Sequence, residues 1–283
     1  MKLTLLGTGS PSPNPQRRGN AQVIESGGEL VLIDCGATAV HRLVEAGYAR
    51  RPIKQVAISH LHSDHITGLA DLLWGGWVGR WWDKPPVISG PPGSKEMIDY
   101  LIKAYSYDIN VRTLTPGGEG LLKEWLIPEV EEIEEGWTAS GSDWQLTAFE
   151  VDHVQVKDAF GFRMEGPGGS IVISGDTRRS ENLIAKSQNV DLLVHEVIRF
   201  KDEVITDPFL AARREAVNTY HTASTEVGKI ATAAAAKQLV LSHLVIREGT
   251  LDDLRGDVTP DYKGPLTVGE DLMSFELPVN RSF

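Results

Sequence analysis

Cysteine and long apolar stretches are both scarce in this sequence. The single cysteine, Cys35, excludes a disulfide within the chain and is typical of a reducing compartment. No apolar run approaches the roughly 20 residues that a membrane-spanning helix needs. The opening residues, MKLTLLGTGSPSP, reach glycine too early to hold the apolar core of a secretory signal. We therefore expect a cytoplasmic protein.

Positively charged residues are fewer than negatively charged ones. Lysine and arginine number 28 against 39 aspartate and glutamate residues, which gives a net charge of -11. Such a charge repels the backbone of a nucleic acid, unless a basic patch is set apart or bound divalent metal makes the site locally positive. The balance favours a small-molecule substrate and counts against nucleic acid.

Strand-like and helix-like segments alternate along the chain. Strands are predicted at 2–7, 30–34, 55–59, 87–90, 145–153, 160–165, 170–176, 192–197 and 238–244, and helices at 38–47, 64–73, 94–105 and 223–236. This order predicts an α/β fold. No repeat, low-complexity tract or change of composition divides the sequence, so we expect a single domain over residues 1–283.

Polar side chains fall where the predicted strands end. They are Asp34, His60, His153, Asp176, His195, Glu196 and His243. Open α/β sheets collect their ligand-binding groups at this edge. We therefore expect a functional site there, whereas His41, alone on a predicted helix, is expected to be a surface or packing residue.

The segment VAISHLHSDHITG, residues 56–68, carries candidate metal ligands in one short loop, and we call residues 60–68 the histidine loop. His60 and His62 are two positions apart at a strand exit, so they project to the same side of an extended segment. Asp64 and His65 then begin a helix, where the helix dipole favours a carboxylate. Imidazole and carboxylate suit Zn²⁺, and catalytic sites leave one position for water. The loop can thus serve two adjacent metal ions, and the later residues available to complete them are His153, Asp176 and His243.

HLHSDH matches the HxHxDH signature of the metallo-β-lactamase fold superfamily, which the chain resembles from LLGTGS to LSHL. The resemblance implies a four-layer αβ/βα sandwich whose two halves each contribute to a dinuclear metal site. It implies that Asp34, in LIDCG, braces the histidine loop by hydrogen bonds. Cys35 is expected to be a small buried hydrophobe. The implied ligands are His60, His62 and His153 on one metal, Asp64, His65 and His243 on the other, and Asp176 as a bridge.

Within the superfamily, LLGTGSPSPNPQRRGN, VHEV and HTAS resemble the ribonuclease Z branch and its arylsulfatase-like relatives. The resemblance implies that Glu196 orients His221. It further implies that His221 donates a proton to the departing oxygen or stabilises charge on it. The alternative for His221 is a neighbour of a helix cap, because TASTE resembles a capping box.

The implied cofactors are two divalent metal ions, with Zn²⁺ expected and Mn²⁺ or Fe²⁺ left open, because imidazole and carboxylate bind each of them. Two such ions can share a hydroxide that attacks the ester, while Asp64 helps to orient or deprotonate it. No organic cofactor is expected. Iron-containing oxygen reductases of this fold carry glutamate at the position of His62 and work with a flavin domain, so His62 argues against that class. An iron-dependent sulfur dioxygenase shares the signature but would use one metal, so a metal count distinguishes it. A non-catalytic scaffold would have lost ligands that are present here.

Tryptophans cluster just after the histidine loop, at Trp74, Trp77, Trp81 and Trp82. They could line an aromatic substrate pocket, form the contact of a homodimer, or pack in the core. The cluster and the acidic charge favour a hydrolase of small-molecule sulfate or phosphate esters, with lactones next. The basic, glycine-rich arm of tRNA-processing members, inserted between the late strands, has no counterpart in the sequence.

The alternative function is that of a ribonuclease Z-type endonuclease that processes the 3′ end of tRNA. It is favoured by PNPQRRGN, whose Arg17, Arg18 and Asn20 resemble the loop that meets RNA near the cleavage site. Two arginines could equally bind a small anion.

Overall fold

Two seven-stranded sheets form the centre of the structure, a computed structural model that describes residues 1–114, 122–200, 206–246 and 249–277. The strands are β1 (Lys2–Gly7), β2 (Ala21–Ser26), β3 (Glu29–Ile33), β4 (Ile53–Ala57), β5 (Val87–Gly90), β6 (Val130–Glu132), β7 (Thr138–Ser140), β8 (Gln145–Glu150), β9 (Phe160–Gly166), β10 (Gly169–Ile173), β11 (Leu192–Arg199), β12 (Leu239–Ile246), β13 (Leu266–Val268) and β14 (Ser274–Glu276). The helices are α1 (Ala39–Glu45), α2 (Ser63–Ile66), α3 (Leu69–Gly79), α4 (Ser94–Ala104), α5 (Ser106–Leu114), α6 (Glu181–Lys186), α7 (Pro208–Tyr220), α8 (Ser224–Ala233) and α9 (Leu251–Val258).

Each sheet is antiparallel over one part and parallel over the other. The first sheet has the order β14-β1-β2-β3-β4-β5-β6 and becomes parallel from β3 onward. The second has the order β13-β12-β11-β10-β9-β8-β7 and is parallel from β13 to β10. Parallel neighbours end at the same edge of a sheet. The segments that follow β3, β4 and β10 therefore leave their sheets at edges where functional groups can meet.

The central strands are buried on both faces, because their apolar side chains alternate between two cores. In β3, Leu30 and Leu32 pack in a core with helices α1 and α3, while Val31 and Ile33 pack against residues of the second sheet. The second sheet packs its own outer face against α6, α8 and α9. Each fully buried Leu, Val or Ile side chain stabilises the fold by about 1.5–3 kcal/mol relative to an exposed one.

The layers are thus helices, sheet, sheet and helices, which confirms the predicted four-layer αβ/βα sandwich. That residues 1–283 form a single domain stays a prediction. Across the described ranges, no helix has the length and apolar character needed to cross a membrane.

The predicted helix 64–73 is in fact two helices, α2 and α3. The backbone N–H of Gly68 donates to the carbonyl oxygen of Cys35 at 2.8 Å, and a Cβ atom on Gly68 would lie 2.3 Å from the carbonyl oxygen of Gly36. This close approach of two backbones breaks the helix and fixes the histidine loop against the end of β3.

Candidate metal centre

The histidine loop starts where β4 ends and carries four donor side chains. His60 and His65 are fully buried, Asp64 is buried, and His62 is exposed to solvent. The ring centroids of His60 and His65 are 4.1 Å apart, and those of His60 and His62 are 4.6 Å apart. The sequence-predicted ligands of this loop therefore lie together.

Asp34 holds the loop in place from the end of β3. Its carboxylate accepts hydrogen bonds from the backbone N–H of Ser59 (2.8 Å), the Ser59 hydroxyl (2.9 Å), the Asn20 amide (2.8 Å) and Nδ1 of His65 (2.7 Å). A carboxylate on Nδ1 fixes the tautomer of a ligand histidine and leaves Nε2 free for a metal. The structure thus gives Asp34 the contacts that the resemblance implies. Asn20 was not assigned this role from the sequence.

The second sheet delivers His153 and Asp176. His153 follows β8, and its Nδ1 donates a hydrogen bond to the carbonyl oxygen of Tyr220 at 2.9 Å, so its Nε2 faces the histidine loop. Asp176 follows β10 and is 3% exposed. Both predicted residues therefore lie at the junction of the two sheets.

A β-bulge delivers His243. Glu196 of β11 pairs with Ser242 of β12, but the next residue, Val197, pairs with Leu244, so His243 is the extra residue. Its φ of 44° lies in the left-handed region, which is strained for a residue other than glycine. Bulges next to active sites re-aim side chains. Here the bulge places the imidazole of His243 among the other donors.

Asp176 lies at the centre of these groups. Its Oδ1 is 3.4 Å from Nε2 of His65, and its Oδ2 is 3.4 Å from Nε2 of His243 and 3.9 Å from Nε2 of His60. Asp64 contacts the same region, with Oδ2 3.0 Å from Nε2 of His243. Asp176 therefore faces donor residues of both predicted ligand sets.

The donor atoms form three groups, within each of which all atoms lie within 4.8 Å of one another. The groups are His60, His62, His153 and Asp176; Asp64, His65 and His243; and Asp176, His221 and His243. Groups of this composition can hold divalent metal ions. The first two correspond to the predicted ligand sets, and the third brings His221 within reach of a metal as well.

The donor chemistry fits a bound cation. Nε2 of His60, Nε2 of His65 and Oδ1 of Asp176 are buried, and no described residue gives them a well-directed hydrogen bond. Such atoms are uncommon in folded proteins unless another partner satisfies them. Burial lowers the pKa of His60 well below its usual value, and burial also lowers the pKa of His62 and His153, so these imidazoles are neutral and free to bind metal.

The carboxylates of the centre remain ionised. Burial opposes ionisation of Asp176, but His243 and His65 hold its pKa well below the usual value. Burial opposes protonation of His65, yet Asp176 and Asp34 raise its pKa well above the usual value. Both shifts show that this position favours positive charge, which a bound cation would supply in place of the proton on His65.

Glu196 and His221 form a pair beside the metal centre. Nδ1 of His221 lies 3.0 Å from Oε1 of Glu196, which also accepts the backbone N–H groups of Thr177 (3.0 Å) and Thr222 (3.1 Å). Burial alone would lower the pKa of His221, but Glu196 outweighs it, and the pKa is raised to about 9. His221 is therefore protonated at neutral pH and can donate a proton. It directly follows α7 and does not cap α8, whose N-cap is Ala223.

A cavity of about 300 Å³ opens beside the centre. The segment that lines one side of it connects β1 and β2, and we call residues 9–18 the arginine loop. Arg17 and Arg18 line the cavity from this loop, and Ser63, Asp64 and Thr67 line it from the histidine loop. Residues of the arginine loop and of the histidine loop, Asp64 among them, thus border the same cavity.

The remaining polar candidates stand apart from the donor groups. His41 is exposed on α1, as expected. Cys35 is fully buried, and burial raises the pKa of its thiol, which fits the predicted hydrophobe. His195 is fully buried, and its Nδ1 donates to the backbone carbonyl oxygen of Glu196 at 2.7 Å. It belongs to none of the three donor groups.

The four tryptophans are part of the core that lies between the first sheet and helices α1 and α3. Trp77 is fully buried and its Nε1 donates to the carbonyl oxygen of Leu122, while Trp82 donates to the carbonyl oxygen of Trp125. Trp74 and Trp81 are partly buried and pack on the same core. None of the four lines the cavity beside the metal centre. A homodimer stays a prediction.

Known proteins share this fold along almost the whole chain. The structure of the metallo-β-lactamase fold protein YhfI from Bacillus subtilis has a TM-score of 0.74 at 21% identity and covers 97% of this chain and 98% of its own. Human tRNase Z, short form, has a TM-score of 0.73 at 24% identity and covers 99% and 100%. The chain therefore has the metallo-β-lactamase fold.

Comparisons of sequence identify the family within this superfamily. Ribonuclease Z of Mycolicibacterium gilvum (strain PYR-GCK) is 33% identical over 276 residues, which cover 96% of this chain and 94% of that protein. The family model described as anti-Pycsar protein Apyc1 matches residues 1–206. The chain belongs to the ribonuclease Z branch of the superfamily and, through that model, to the Apyc1 family. It is a metal-dependent hydrolase.

The prediction of a small-molecule ester hydrolase, with nucleic acid disfavoured as a partner, is wrong. The similarity to ribonuclease Z over nearly the full length favours the alternative. Two arguments for the small molecule fail for physical reasons. The tryptophans pack in the core, and the net charge of -11 is a sum over the chain that does not describe the field beside Arg17 and Arg18. The arylsulfatase-like part of the resemblance is not carried by these matches.

Proposed function

We propose that this chain is a ribonuclease Z-type endonuclease that hydrolyses a phosphodiester bond near the 3′ end of precursor tRNA. The observation that carries the proposal is the Glu196–His221 pair beside the donor groups, in a chain 33% identical to Ribonuclease Z over 96% of its length. A general acid next to a metal centre suits phosphodiester hydrolysis, because a proton transferred to the departing oxygen assists its release.

The proposed cofactors are two divalent ions, with Zn²⁺ preferred for ligand sets rich in imidazole and Mn²⁺ or Fe²⁺ as alternatives. When bound, they polarise the phosphate and lower the pKa of the attacking water. Asp176 is proposed to bridge the two sets. The proposed ligands are His60, His62, Asp64, His65, His153, Asp176 and His243.

His221 is proposed as the proton donor to the departing oxygen. Its raised pKa keeps the imidazolium form at neutral pH, and Glu196 holds the ring through Nδ1, which leaves Nε2 as the atom that donates. Asp64 is proposed to orient the attacking water, since its carboxylate borders both the centre and the cavity. Such proton transfer typically contributes 10²–10⁴-fold to the rate.

The arginine loop supports a nucleic acid substrate. Its Arg18 lines the cavity next to Asp64, where a guanidinium can pair with a phosphate that flanks the scissile one. The hydroxyl groups of Ser63 and Thr67 border the same space and can bind phosphate or ribose oxygens. This local charge offsets the acidic balance of the whole chain. We place the reaction in the cytoplasm, where precursor tRNA would be met in a reducing compartment that suits the single cysteine.

The test incubates metal-loaded protein with a precursor tRNA that carries a 3′ trailer, with mature tRNA, and with an aryl phosphodiester. We expect one endonucleolytic cut near the trailer junction of the precursor. His221→Ala should lose most of the rate, and His41→Ala, which removes an exposed histidine from α1, serves as the matched control. Turnover of the aryl phosphodiester with the precursor left intact would overturn the proposal.

A further inference from the structure

Near the end of the described chain, Asp271 forms hydrogen bonds to both ends of the arginine loop. Its Oδ1 accepts the backbone N–H of Thr8 (3.0 Å) and the Thr8 hydroxyl (2.8 Å), and its Oδ2 accepts the backbone N–H of Arg18 (2.9 Å). Arg42 of α1 donates to the same Oδ2 at 3.2 Å. The side chain of Asp271 is only 4% exposed. One buried carboxylate thus joins the two stems of a loop that lines the cavity beside the metal centre.

A second set of contacts closes the base of the loop. Nη1 of Arg17 donates to the Thr8 hydroxyl at 2.8 Å and to the carbonyl oxygen of Gly269 at 2.6 Å. The backbone N–H of Gly9 donates to the carbonyl oxygen of Arg18 at 2.8 Å, and a Cβ atom on Gly9 would lie 2.7 Å from the carbonyl oxygen of Arg17. The stems of the loop are therefore in close contact, and their separation is fixed.

The turn that carries Asp271 is itself held by strands. Leu272 has a φ of 69°, and its N–H donates to the carbonyl oxygen of Leu5 in β1 at 2.6 Å. The N–H of Gly269 donates to the carbonyl oxygen of Leu241 in β12 at 2.8 Å. Because β1 and β12 belong to different sheets, the carboxylate is positioned relative to both halves of the fold.

The same region connects to the metal centre through the backbone. The N–H of Leu244, the residue after His243, donates to the carbonyl oxygen of Thr8 at 2.8 Å. Thr8 therefore contacts Asp271 through its N–H and hydroxyl and the bulge of β12 through its carbonyl. The distance between the arginine loop and the donor groups depends on this residue and on the carboxylate that holds it.

We propose that Asp271 is a positioning residue, which sets the arginine loop at the distance from the metal centre that substrate binding requires. Asp271 does not touch the substrate. It acts through the Thr8 and Arg18 backbones on the cavity wall, and it is not a metal ligand. The identity of the bound substrate rests on the proposed function, whereas the clamping of the loop does not.

The test compares Asp271→Asn with Glu270→Gln, which removes the same charge from the exposed neighbouring position. Asparagine keeps one acceptor oxygen but replaces the other by an N–H donor, so it cannot accept the N–H groups of Thr8 and Arg18 at the same time. We expect amide hydrogen exchange at Thr8 and Arg18 to accelerate about tenfold, as for a lost hydrogen bond to a charged group. Glu270→Gln should match the wild type.

Kinetics on the precursor tRNA separate positioning from chemistry. Asp271→Asn should raise KM about tenfold, with kcat within about twofold of the wild type and metal content unchanged. A loss of metal, a fall in kcat at constant KM, or unchanged exchange at both Thr8 and Arg18 would each overturn the inference. Where Asp271→Asn fails to fold, Thr8→Val removes the hydroxyl that links Asp271 to Arg17 and should raise KM in the same direction.

Failure of the proposed function gives a different result. If the wild type leaves the precursor intact, the tRNA substrate is wrong. Hydrogen exchange at Thr8 and Arg18 then still supports or overturns the role of Asp271, because that measurement needs no substrate.

Discussion

His221 and Glu196 share a hydrogen bond of 3.0 Å between Nδ1 and Oε1, and this contact lies within reach of the metal ligands. The same carboxylate oxygen accepts two backbone N–H groups, from Thr177 and Thr222, so it is fixed before the imidazole is placed. The imidazole is thereby held in one orientation and kept protonated. The proposed proton donor is thus positioned by β11 and the end of α7, and not by the histidine loop.

The pH dependence of the rate follows from this pair. The pKa of His221 is raised to about 9, so the donating form is present below that pH and is lost as the pH rises through it. We expect kcat to fall about tenfold per pH unit above about 9. Glu196→Gln should move this descending limb to lower pH, because the charge that raises the pKa is gone. The measurement is kcat against pH at saturating metal, and a limb at the same pH in both proteins would contradict it.

Metal content distinguishes ligands from the proton donor. Asp64→Ala and His62→Ala should lose both bound metal and hydrolysis, whereas His221→Ala should keep its metal and lose about 10²–10⁴-fold in kcat. Elemental analysis of the purified variants measures this, with His41→Ala as the control. The structure makes the comparison necessary, because His221 also forms a donor group with Asp176 and His243. Equal metal loss in all three variants would make His221 a ligand.

The brace under the histidine loop should control metal affinity. Asp34→Asn removes the charged acceptor from Nδ1 of His65, and we expect metal affinity to fall about 10–100-fold. Asn20→Ala removes one of the bonds to Asp34 and should have a smaller effect in the same direction. Competition with a chromophoric chelator measures both affinities. Unchanged affinity in Asp34→Asn would show that the loop holds its shape without the brace.

The core position of the tryptophans predicts an effect on stability and not on binding. Trp77→Ala should lower the free energy of unfolding by about 3–5 kcal/mol, because it empties a fully buried site. Val78→Ala, one residue further on and 40% exposed, should change it by less than about 0.5 kcal/mol. Chemical denaturation at matched metal concentration gives both values. A large rise in KM for a Trp77 variant that remains folded would instead place the tryptophans at the substrate.

Much of the architecture follows from the sequence, since apolar runs mark the central strands of both sheets. The strands β1 and β5 have the predicted bounds, and the polar residues at strand ends meet as expected, except His195, which belongs to no donor group. The donors of the histidine loop are local in sequence and are specified by a single signature. These features depend on periodicity and short spacing, which a sequence displays directly.

Other features depend on partners that are distant in the chain. The strand β2 was not predicted, and neither was the contact of Asn20 with Asp34, because that contact forms only when β2 lies beside β3. The bulge at His243 depends on the pairing register between β11 and β12. Asp271 is 263 residues from Thr8, and nothing in the residues around it marks a contact with the arginine loop. The prediction of a small-molecule substrate is wrong for a related reason. Composition describes the net charge of the whole chain, while recognition depends on a few charges around one cavity.

The donor groups are drawn from both sheets, His60 and His65 from the first and Asp176 and His243 from the second. The two predicted ligand sets each take residues from both halves, so each set is complete only in molecules whose halves have docked. The metal stoichiometry of a preparation is therefore also a count of correctly assembled molecules. For the wild-type protein in a solution where metal is plentiful, we therefore expect a metal content below two ions per chain to report molecules whose halves have not docked.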